Sequence, residues 1–317
     1  MQKIKWCDMH CDTLTFCLDR GEDLKNAGGQ INLKKLRGAG CALQCFAIFT
    51  DGENSAERFE SALSLYNRSL SEYGELVLPV FSYADYLKAE RSGKIAALLT
   101  VENLGFIGND LNKISLLRQK GVRMCSLVWN NANQFAFPNL ICRGVPAFSE
   151  REERGLTPFG RQAVEELNRN GIIIDISHLS DGGADDVLRL SDAPVVASHS
   201  NCFTIRAVSR NLTDSQIKKI SGKGGVLGVN FCKDFVGGGE DIIGAVCAHI
   251  KYLINVGGED CAALGSDFDG ISAPKGLENC LKVPLIFERL RKEGVSLRVI
   301  EKFAYGNFLR VLREAAG

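Results

Sequence analysis

The sequence predicts a (β/α)8 barrel, a ring of eight parallel strands in which a helix or crossover follows each strand. Three observations predict this fold class: short apolar runs recur along the whole chain, helical patterns lie between them, and polar residues follow several of the runs. A chain of 317 residues could form one large barrel or two smaller domains. Because no repeat or linker divides it, we predict a single domain over residues 1–317.

The eight apolar runs are nearly continuous, a pattern that is typical of parallel strands covered on both faces. In chain order they are Lys5–His10, Ala42–Phe49, Ala96–Val101, Arg123–Trp129, Ile172–Ser177, Pro194–Ser198, Gly225–Phe231 and Cys261–Ser266.

The segments between these runs carry helix signals. Phe59, Leu63, Tyr66 and Leu70 recur at the spacing of one helical stripe. Thr157 followed by Pro158 has the pattern of an N-cap and a first helical residue, and Asn170-Gly171 would end that helix. Thr213 and Gln216 have the spacing of a capping box, which marks the start of another helix.

An open, doubly wound sheet is the competing architecture. No Gly-x-Gly-x-x-Gly turn follows the first predicted strand, which weakens a dinucleotide-binding version of that fold. We interpret Gly237–Gly239 as a loop rather than a phosphate cradle. Residues 130–155 show no periodicity, and we predict a functional loop there after the fourth strand.

Composition excludes several function classes. Lys+Arg and Asp+Glu both total 38, so the chain lacks the basic surplus of a nucleic-acid binder. No apolar run approaches the roughly 20 residues that span a bilayer. The 12 cysteines are scattered, without Cys-x-x-Cys pairs, which favours free buried thiols over a cysteine-ligated metal. We therefore predict a cytoplasmic protein without a membrane anchor.

The four histidines carry the strongest functional signal. His10, His178 and His199 each stand at the end of a predicted strand, and carboxyl ends of barrel strands converge on one mouth. A single histidine there is most often structural, but three in a histidine-poor chain predict a common site. The fourth, His249, falls in the helical pattern of residues 242–256 and is interpreted as a packing or surface residue.

Carboxylates occupy matching positions. Asp8, His10 and Asp12 alternate with the period of a strand, so His10 and Asp12 could place a nitrogen and an oxygen on one metal ion. Glu102 and Asp267 also end apolar runs, where an unpaired charge is costly. Loop capping or arginine pairing is the alternative explanation for these two.

The set His10, Asp12, Glu102, His178 and His199 offers five nitrogen and oxygen ligands. Five ligands are too many for one tetrahedral zinc but suit two ions that share a carboxylate. Two ions about 3.5–4 Å apart can generate a bridging hydroxide and polarise a carbonyl. Asp267 is our candidate for the proton transfer, and Asp269 could anchor a loop or support the metal site.

With these residues assembled, the chain resembles the membrane (renal) dipeptidase family, peptidase family M19 of the amidohydrolase-like barrels. The resemblance extends from Asp8 to about Leu312. The motifs that carry it are DMHCD (8–12), VEN (101–103), GLTPFGRQAVEELNRNGIIIDISHLS (155–180), VVASHSN (195–201), SRNLTD (209–214), GVNF (228–231), GSDFDG (265–270) and GN (306–307).

The resemblance implies a role for each matching residue. His10 and Asp12 match ligands of the first zinc ion, and His178 and His199 match ligands of the second. Glu102 matches the carboxylate that, with a water or hydroxide, bridges the two Zn²⁺ ions. Arg210 matches the arginine that holds the substrate's terminal carboxylate, a task that suits its planar fork. Asp267 matches the catalytic residue at the reacting amide or amine.

The sequence departs from the family pattern at Trp129. This position matches a substrate-contacting histidine of the mammalian enzymes, whereas many bacterial relatives are similar to this chain there. Tryptophan offers one N–H donor and cannot titrate, so Trp129 could be a pocket wall or a donor to substrate. Asn103-Leu104-Gly105 after Glu102 also differs from the family's usual glycine. Arg206, four residues before Arg210, could line the same pocket or pair with an acid.

The resemblance implies a zinc-dependent dipeptidase that cleaves dipeptides, including those with a D-residue at the carboxyl side, by attack of a metal-bridging hydroxide. A related amidase, acyl-amino-acid hydrolase or lactonase on the same binuclear barrel is the alternative, because one barrel fold hosts many chemistries. A non-catalytic binding protein is the third hypothesis. We expect a small dipeptide as substrate, no nucleic-acid partner, and a homodimer, as relatives commonly form.

Overall fold

A parallel sheet of nine strands forms the centre of the computed structural model, which describes residues 4–139 and 153–315. Eight strands run in the order β1-β2-β4-β5-β6-β7-β8-β9, and β3 pairs with β4. The strands are β1 (Trp6–Asp8), β2 (Cys41–Phe49), β3 (Val77–Pro79), β4 (Ile95–Glu102), β5 (Val122–Ser126), β6 (Ile173–Asp175), β7 (Val196–Ser200), β8 (Val226–Val229) and β9 (Ala262–Leu264).

The ring is nearly closed between its first and last strands. Met9 N–H donates to the Leu264 carbonyl at 2.9 Å, and Asp12 N–H donates to the Phe268 carbonyl at 2.9 Å. Cys11 and Phe268 form an isolated parallel bridge beyond both strands. The predicted (β/α)8 barrel is therefore confirmed, and the open doubly wound sheet is wrong.

Helices cover the outside of the barrel. They are α1 (Thr13–Arg20), α2 (Leu33–Ala39), α3 (Ser55–Glu72), α4 (Tyr83–Arg91), α5 (Asn112–Gln119), α6 (Pro158–Arg169), α7 (Asp181–Leu190), α8 (Asp214–Gly222), α9 (Lys233–Val236), α10 (Ile242–Gly257), α11 (Pro284–Lys292), α12 (Leu297–Glu301) and α13 (Asn307–Ala315). No helix within the described ranges is long and apolar enough to cross a bilayer.

The predicted helix signals are confirmed where they can be compared. The Thr157 side chain accepts from Gly160 N–H at the start of α6, and Thr213 and Gln216 form a capping box at the start of α8. The stripe on α3 is also confirmed, because Phe59, Leu63 and Tyr66 are buried. His249 lies buried in α10.

The strand bounds differ from the prediction at several ends. β1 ends at Asp8, β5 at Ser126 and β9 at Leu264, so His10, Trp129 and Ser266 follow their strands. The apolar runs continue past the last ladder hydrogen bonds because the strand-end loops are also buried. β3 was missed; it has three residues and pairs with the start of β4, on the edge that β5 occupies further along. Residues 140–152 of the predicted functional loop lie outside the described residues.

The core has two layers, set by the alternation of side chains along each strand. One cluster fills the barrel with inward-facing residues such as Met9, Cys45, Leu98 and Val226, and α13 packs against this layer. Arg310 on α13 donates to carbonyls just before β8 and β9, so α13 lies at the amino-terminal end of the barrel. The opposite end is left for the polar residues that follow the strands.

Candidate metal centre

Six buried polar side chains converge at the carboxyl ends of the strands. Their ligand atoms form three overlapping groups, each with all atoms within 4.8 Å of one another. The groups are His10 with Asp12 and Glu102, Glu102 with His178 and His199, and His10 with His199 and Asp267. The structure therefore brings together all five ligand candidates that the sequence suggested, and adds Asp267 to their surroundings.

Glu102, the last residue of β4, lies between the histidines. Its Oε1 is 2.9 Å from His178 Nε2 and 3.5 Å from His199 Nε2. Its Oε2 is 3.5 Å from His10 Nε2, which is also 3.3 Å from Asp12 Oδ2. One carboxylate thus presents a separate oxygen to each of two groups, which is the arrangement needed to bridge two ions.

The His178 and His199 rings turn their Nε2 atoms toward each other. His178 Nδ1 contacts Asn130 Oδ1 at 2.8 Å, and His199 Nδ1 contacts Ser198 Oγ at 2.7 Å. Burial, reinforced by Arg210, lowers the pKa of His178 to about 4, and burial lowers the pKa of His199 well below its usual value. With each Nδ1 donating to its oxygen, the two Nε2 lone pairs face each other at 2.9 Å.

That contact between two lone pairs is unfavourable unless a cation, or in its absence a proton, lies between the rings and Glu102. The other half of the site has the same requirement. Burial disfavours protonated His10, but Glu102 and Asp12 outweigh burial and raise its pKa well above the usual value. Asp12 Oδ1 is buried without a hydrogen-bond partner. Imidazole nitrogens and carboxylate oxygens suit zinc, so this donor set fits two such ions.

Asp267 lies beside the cluster, with its Oδ1 3.8 Å from His10 Nε2. Asn230 donates to Asp267 Oδ2 at 2.8 Å. Burial, with the nearby Asp12 and Glu102 carboxylates, raises the pKa of Asp267 to about 7. A carboxyl group with a pKa near neutrality can accept and release a proton, and a bound dication would favour its ionised form.

The two other candidate carboxylates lie outside the cluster. Asp8 accepts hydrogen bonds from Ser266, both from its N–H at 2.8 Å and from its hydroxyl at 2.6 Å. Asp269 accepts from Thr13 Oγ1 at 2.6 Å and from Gln30 N–H at 2.5 Å. Of the two roles that the sequence left open for Asp269, the structure supports the loop anchor.

Arg210 is buried, and it lies close enough to His178 to help lower the pKa of that ring. Its Nη1 donates to Ser200 Oγ at 2.9 Å, while Nε and Nη2 have no partner. Arg206 does not share this environment, because it is exposed and donates to the Asp234 carbonyl. The two arginines that the sequence could not separate therefore differ sharply in burial and pairing.

Trp129 forms part of the cleft wall above the histidines. Its ring packs edge-on against Phe49 with centroids 4.9 Å apart, and lies 6.3 Å from the His178 ring. The cleft has a volume of about 370 Å³ and includes Asp12, Glu102, His178, His199 and Asp267 in its lining. This position is compatible with both roles proposed for Trp129.

Sequence reasoning missed several residues of the site. Asn130 holds the His178 ring, and a Cβ on Gly270 would lie 2.1 Å from Asp12 Oδ2 and 2.7 Å from Asp267 Oδ1. Arg20 and Arg58 line the cleft rim, and Arg58 pairs with the Asp19 carboxylate through its Nη1 and Nη2 atoms. Only Gly270 gave a sequence signal, as the last residue of GSDFDG.

A barrel that holds such a cluster at the carboxyl ends of its strands has the architecture of a metal-dependent hydrolase. Comparison with known proteins identifies the family. The family model for membrane dipeptidase, peptidase family M19, matches residues 1–317. The chain belongs to this family, and it is thereby a metallopeptidase, a dipeptidase of the hydrolase class.

Individual relatives agree with this assignment. The chain is 31% identical to an uncharacterised dipeptidase of Schizosaccharomyces pombe over 303 residues, which are 89% of this chain and 71% of the relative. The crystal structure of a dipeptidase described as an M19 metallopeptidase matches with a TM-score of 0.90 and 29% identity, over 100% of both chains. A metallopeptidase from Rhodobacter sphaeroides, bound to a phosphinate mimic of the dipeptide L-Ala-D-Ala, matches with a TM-score of 0.89 and 27% identity. The match covers 99% of this chain and 100% of the Rhodobacter chain.

Gly270→Ala tests how tightly the site is built. Gly270 is exposed, so the substitution should leave the melting temperature nearly unchanged, but the methyl group would displace the Asp12 carboxylate. We expect metal affinity and dipeptide hydrolysis to fall at least about tenfold. The matched control is Gly28→Ala, on the neighbouring rim, where a Cβ meets only the Glu22 carboxylate at 3.6 Å. Equal behaviour of the two variants would contradict the observed proximity.

Proposed function

We propose that this protein is a zinc-dependent dipeptidase that binds two Zn²⁺ ions and cleaves dipeptides, including those of the L-Xaa-D-Xaa type. The observation that carries the proposal is the convergence of the His178 and His199 Nε2 atoms on one oxygen of Glu102, whose other oxygen faces His10. The Rhodobacter relative with its L-Ala-D-Ala mimic supports the stereochemical part of the proposal.

His10 and Asp12 would hold one ion, His178 and His199 the other, and Glu102 both. When bound, zinc supplies an activated water and a positive charge opposite the developing negative charge on the carbonyl oxygen. The protein's own residues provide the rest of the reaction. Trp129 lines the cleft beside the His178 ring.

Asp267 is the proposed proton carrier. Asn230 fixes its Oδ2, which leaves Oδ1 on the side of His10 and the cluster. The Asp267 carboxylate would accept the proton that the attacking water releases, and would pass it to the amine nitrogen as the C–N bond breaks.

Arg210 is the proposed anchor for the substrate's terminal carboxylate. A buried guanidinium with two unpaired nitrogens is unfavourable, and a carboxylate would pair with both. An anchor at this point would restrict the enzyme to substrates with a free carboxylate close to the scissile bond, which is the defining feature of a dipeptide.

We place the protein in the cytoplasm. The free cysteines among the described residues support this location, because they are buried or half-buried and burial raises their thiol pKa values, as for Cys17 and Cys247, each to about 12. Such thiols are inert small hydrophobes rather than disulfide partners.

Removal of metal should abolish hydrolysis. Protein dialysed against a chelator is expected to lose cleavage of L-Ala-D-Ala and L-Ala-L-Ala, and to regain it as zinc is added back up to two equivalents. Metal content measured on the same samples checks the stoichiometry, and magnesium serves as the control ion because it prefers oxygen ligands. Full activity in protein that contains no metal would refute the mechanism.

Arg210→Ala should raise KM. Loss of one partner of a buried charge pair costs about 2–5 kcal/mol, so KM for dipeptides should rise about thirtyfold or more. Hydrolysis of a dipeptide amide, which has no carboxylate, should change little. Arg206→Ala is the matched control, because the Arg206 side chain is exposed and donates to a backbone carbonyl. An unchanged KM in Arg210→Ala would remove the assigned role.

A free-amine requirement separates the dipeptidase from the alternative amidase or acyl-amino-acid hydrolase. A dipeptidase should prefer a dipeptide over its N-acetyl form by at least about a hundredfold in kcat/KM, since a site built for an amine rejects substrates without one. Kinetics on L,L and L,D pairs, each free and acetylated, make the comparison. A preference for the acetylated forms would favour the alternative.

A further inference from the structure

A buried chain of hydrogen bonds links Asp175 to the ring of His199. Asp175 ends β6, and its Oδ2 accepts a short hydrogen bond from Ser198 Oγ. Ser198 Oγ contacts His199 Nδ1 at 2.7 Å. Asp175, Ser198 and His199 are 4%, 0% and 1% exposed, so water does not compete for these contacts.

The donors and acceptors in this series of hydrogen bonds follow from the number of protons available. The Asp175 carboxylate only accepts, and Ser198 has one hydroxyl proton, which it gives to Asp175. The contact to the ring must then be His199 Nδ1–H donating to Ser198 Oγ. The proton on Nδ1 leaves Nε2 as a lone pair, and this is the atom that faces Glu102 and His178.

We propose that Asp175 is a positioning residue, which acts through Ser198 to hold His199 in the tautomer that can bind a metal ion. The proposal rests on the proposed function, because it requires that His178 and His199 hold a zinc ion. Asn130 serves His178 in the same way, since its Oδ1 contacts His178 Nδ1 at 2.8 Å. Such partners orient a ligand ring and fix its tautomer.

Asp175→Asn is the sharpest test, because the structure dictates how the amide would lie. Asp175 Oδ1 accepts two backbone N–H groups, from Ser177 at 2.9 Å and from Ser198 at 2.8 Å. In the Asp175→Asn variant, those two donors would keep the amide oxygen where Asp175 Oδ1 lies. The amide NH2 would then take the place of Oδ2 and face Ser198 Oγ. The Ser198 proton would then be free to donate to His199 Nδ1, which favours the wrong tautomer, with its proton on Nε2.

The first measurement uses metal-free protein. Two-bond ¹H–¹⁵N spectra distinguish imidazole tautomers, and the chain has only four histidines, so the ring signals are few. We expect His199 to carry its proton on Nδ1 in the wild type and to shift toward the Nε2–H form in Asp175→Asn. A wild type with the proton on Nε2, or a variant with an unchanged spectrum, would overturn the proposal.

The second measurement is zinc binding by competition with a chromophoric chelator. We expect Asp175→Asn and Ser198→Ala each to weaken one of two zinc ions by about 10–100-fold and to leave the other unchanged. If Asp175 acts only through Ser198, the double variant should lose no more affinity than the weaker-binding single variant. Additive losses would show that Asp175 acts by another route and would overturn the proposal.

The barrel provides a matched control in Asp8 and Ser266. Ser266 N–H donates to Asp8 Oδ1 at 2.8 Å and Ser266 Oγ donates to Oδ2, the same pattern that Ser198 makes with Asp175. The oxygen of Ser266 contacts the His10 carbonyl rather than a ring nitrogen. Ser266→Ala should therefore lower the melting temperature about as much as Ser198→Ala, while both zinc affinities stay within about threefold of the wild type.

The results separate this proposal from the proposed function. Wild-type protein that binds no zinc would refute the zinc dipeptidase, and the tautomer spectra of metal-free protein would still test Asp175. Zinc binding that is equal in the wild type, Asp175→Asn and Ser198→Ala would leave the dipeptidase intact and overturn the positioning role. Should Asp175→Asn fail to fold, Ser198→Ala carries the same two measurements, since it removes the acceptor of the ring proton.

Discussion

The buried carboxylate of Glu102 is the constraint on which the rest of the site depends. Removing a carboxylate from water is costly, and here the charge of His10 outweighs burial and holds the pKa of Glu102 well below its usual value. Its two oxygens face different histidines, so any shift of β4 would break both halves of the cluster at once. The parallel ladders from β2 to β5 fix that position, with Phe49 paired to Glu102 itself. The barrel thus supplies the rigidity that is needed to hold the Glu102 carboxylate in place between the histidines.

Backbone strain concentrates at the same rim. Among the described residues, left-handed φ values outside glycine occur at Asn103, His178, Asp267 and Asp269. Each is a candidate site residue or lies within two positions of one, and each follows a strand by one to five residues. Strained residues persist where their surroundings determine them, and here the determinants are visible: Asn103 donates to the Thr50 carbonyl, and Asp269 is held by Thr13 and Gln30.

The sequence was sufficient for the fold class and for the convergence of ligands, because both follow from where apolar runs stop. His10, His178 and His199 could be placed at one mouth without coordinates, since parallel strands share a direction. The three-residue β3 left too short a pattern to detect. The depth of Arg210 and the anchor role of Asp269 depend on how loops fold back, which spacing does not encode. The single-domain organisation and the roles of the individual site residues remain predictions from the sequence.

The hydrogen bonds that link Asp175 to His199 could not have been predicted from the sequence. Their effect depends on which group donates and which accepts, and residue types alone do not determine this. The barrel uses the same device twice: an aspartate at the end of one strand binds the N–H and hydroxyl of a serine on the neighbouring strand. At Asp8 and Ser266 this device joins β1 to the segment after β9 and completes the ring. At Asp175 and Ser198 the same bonds join β6 to β7, but a histidine follows the serine and its Nδ1 lies within reach of the hydroxyl. A contact that serves barrel closure on one side can therefore orient a histidine ring on the other, where His199 follows the serine.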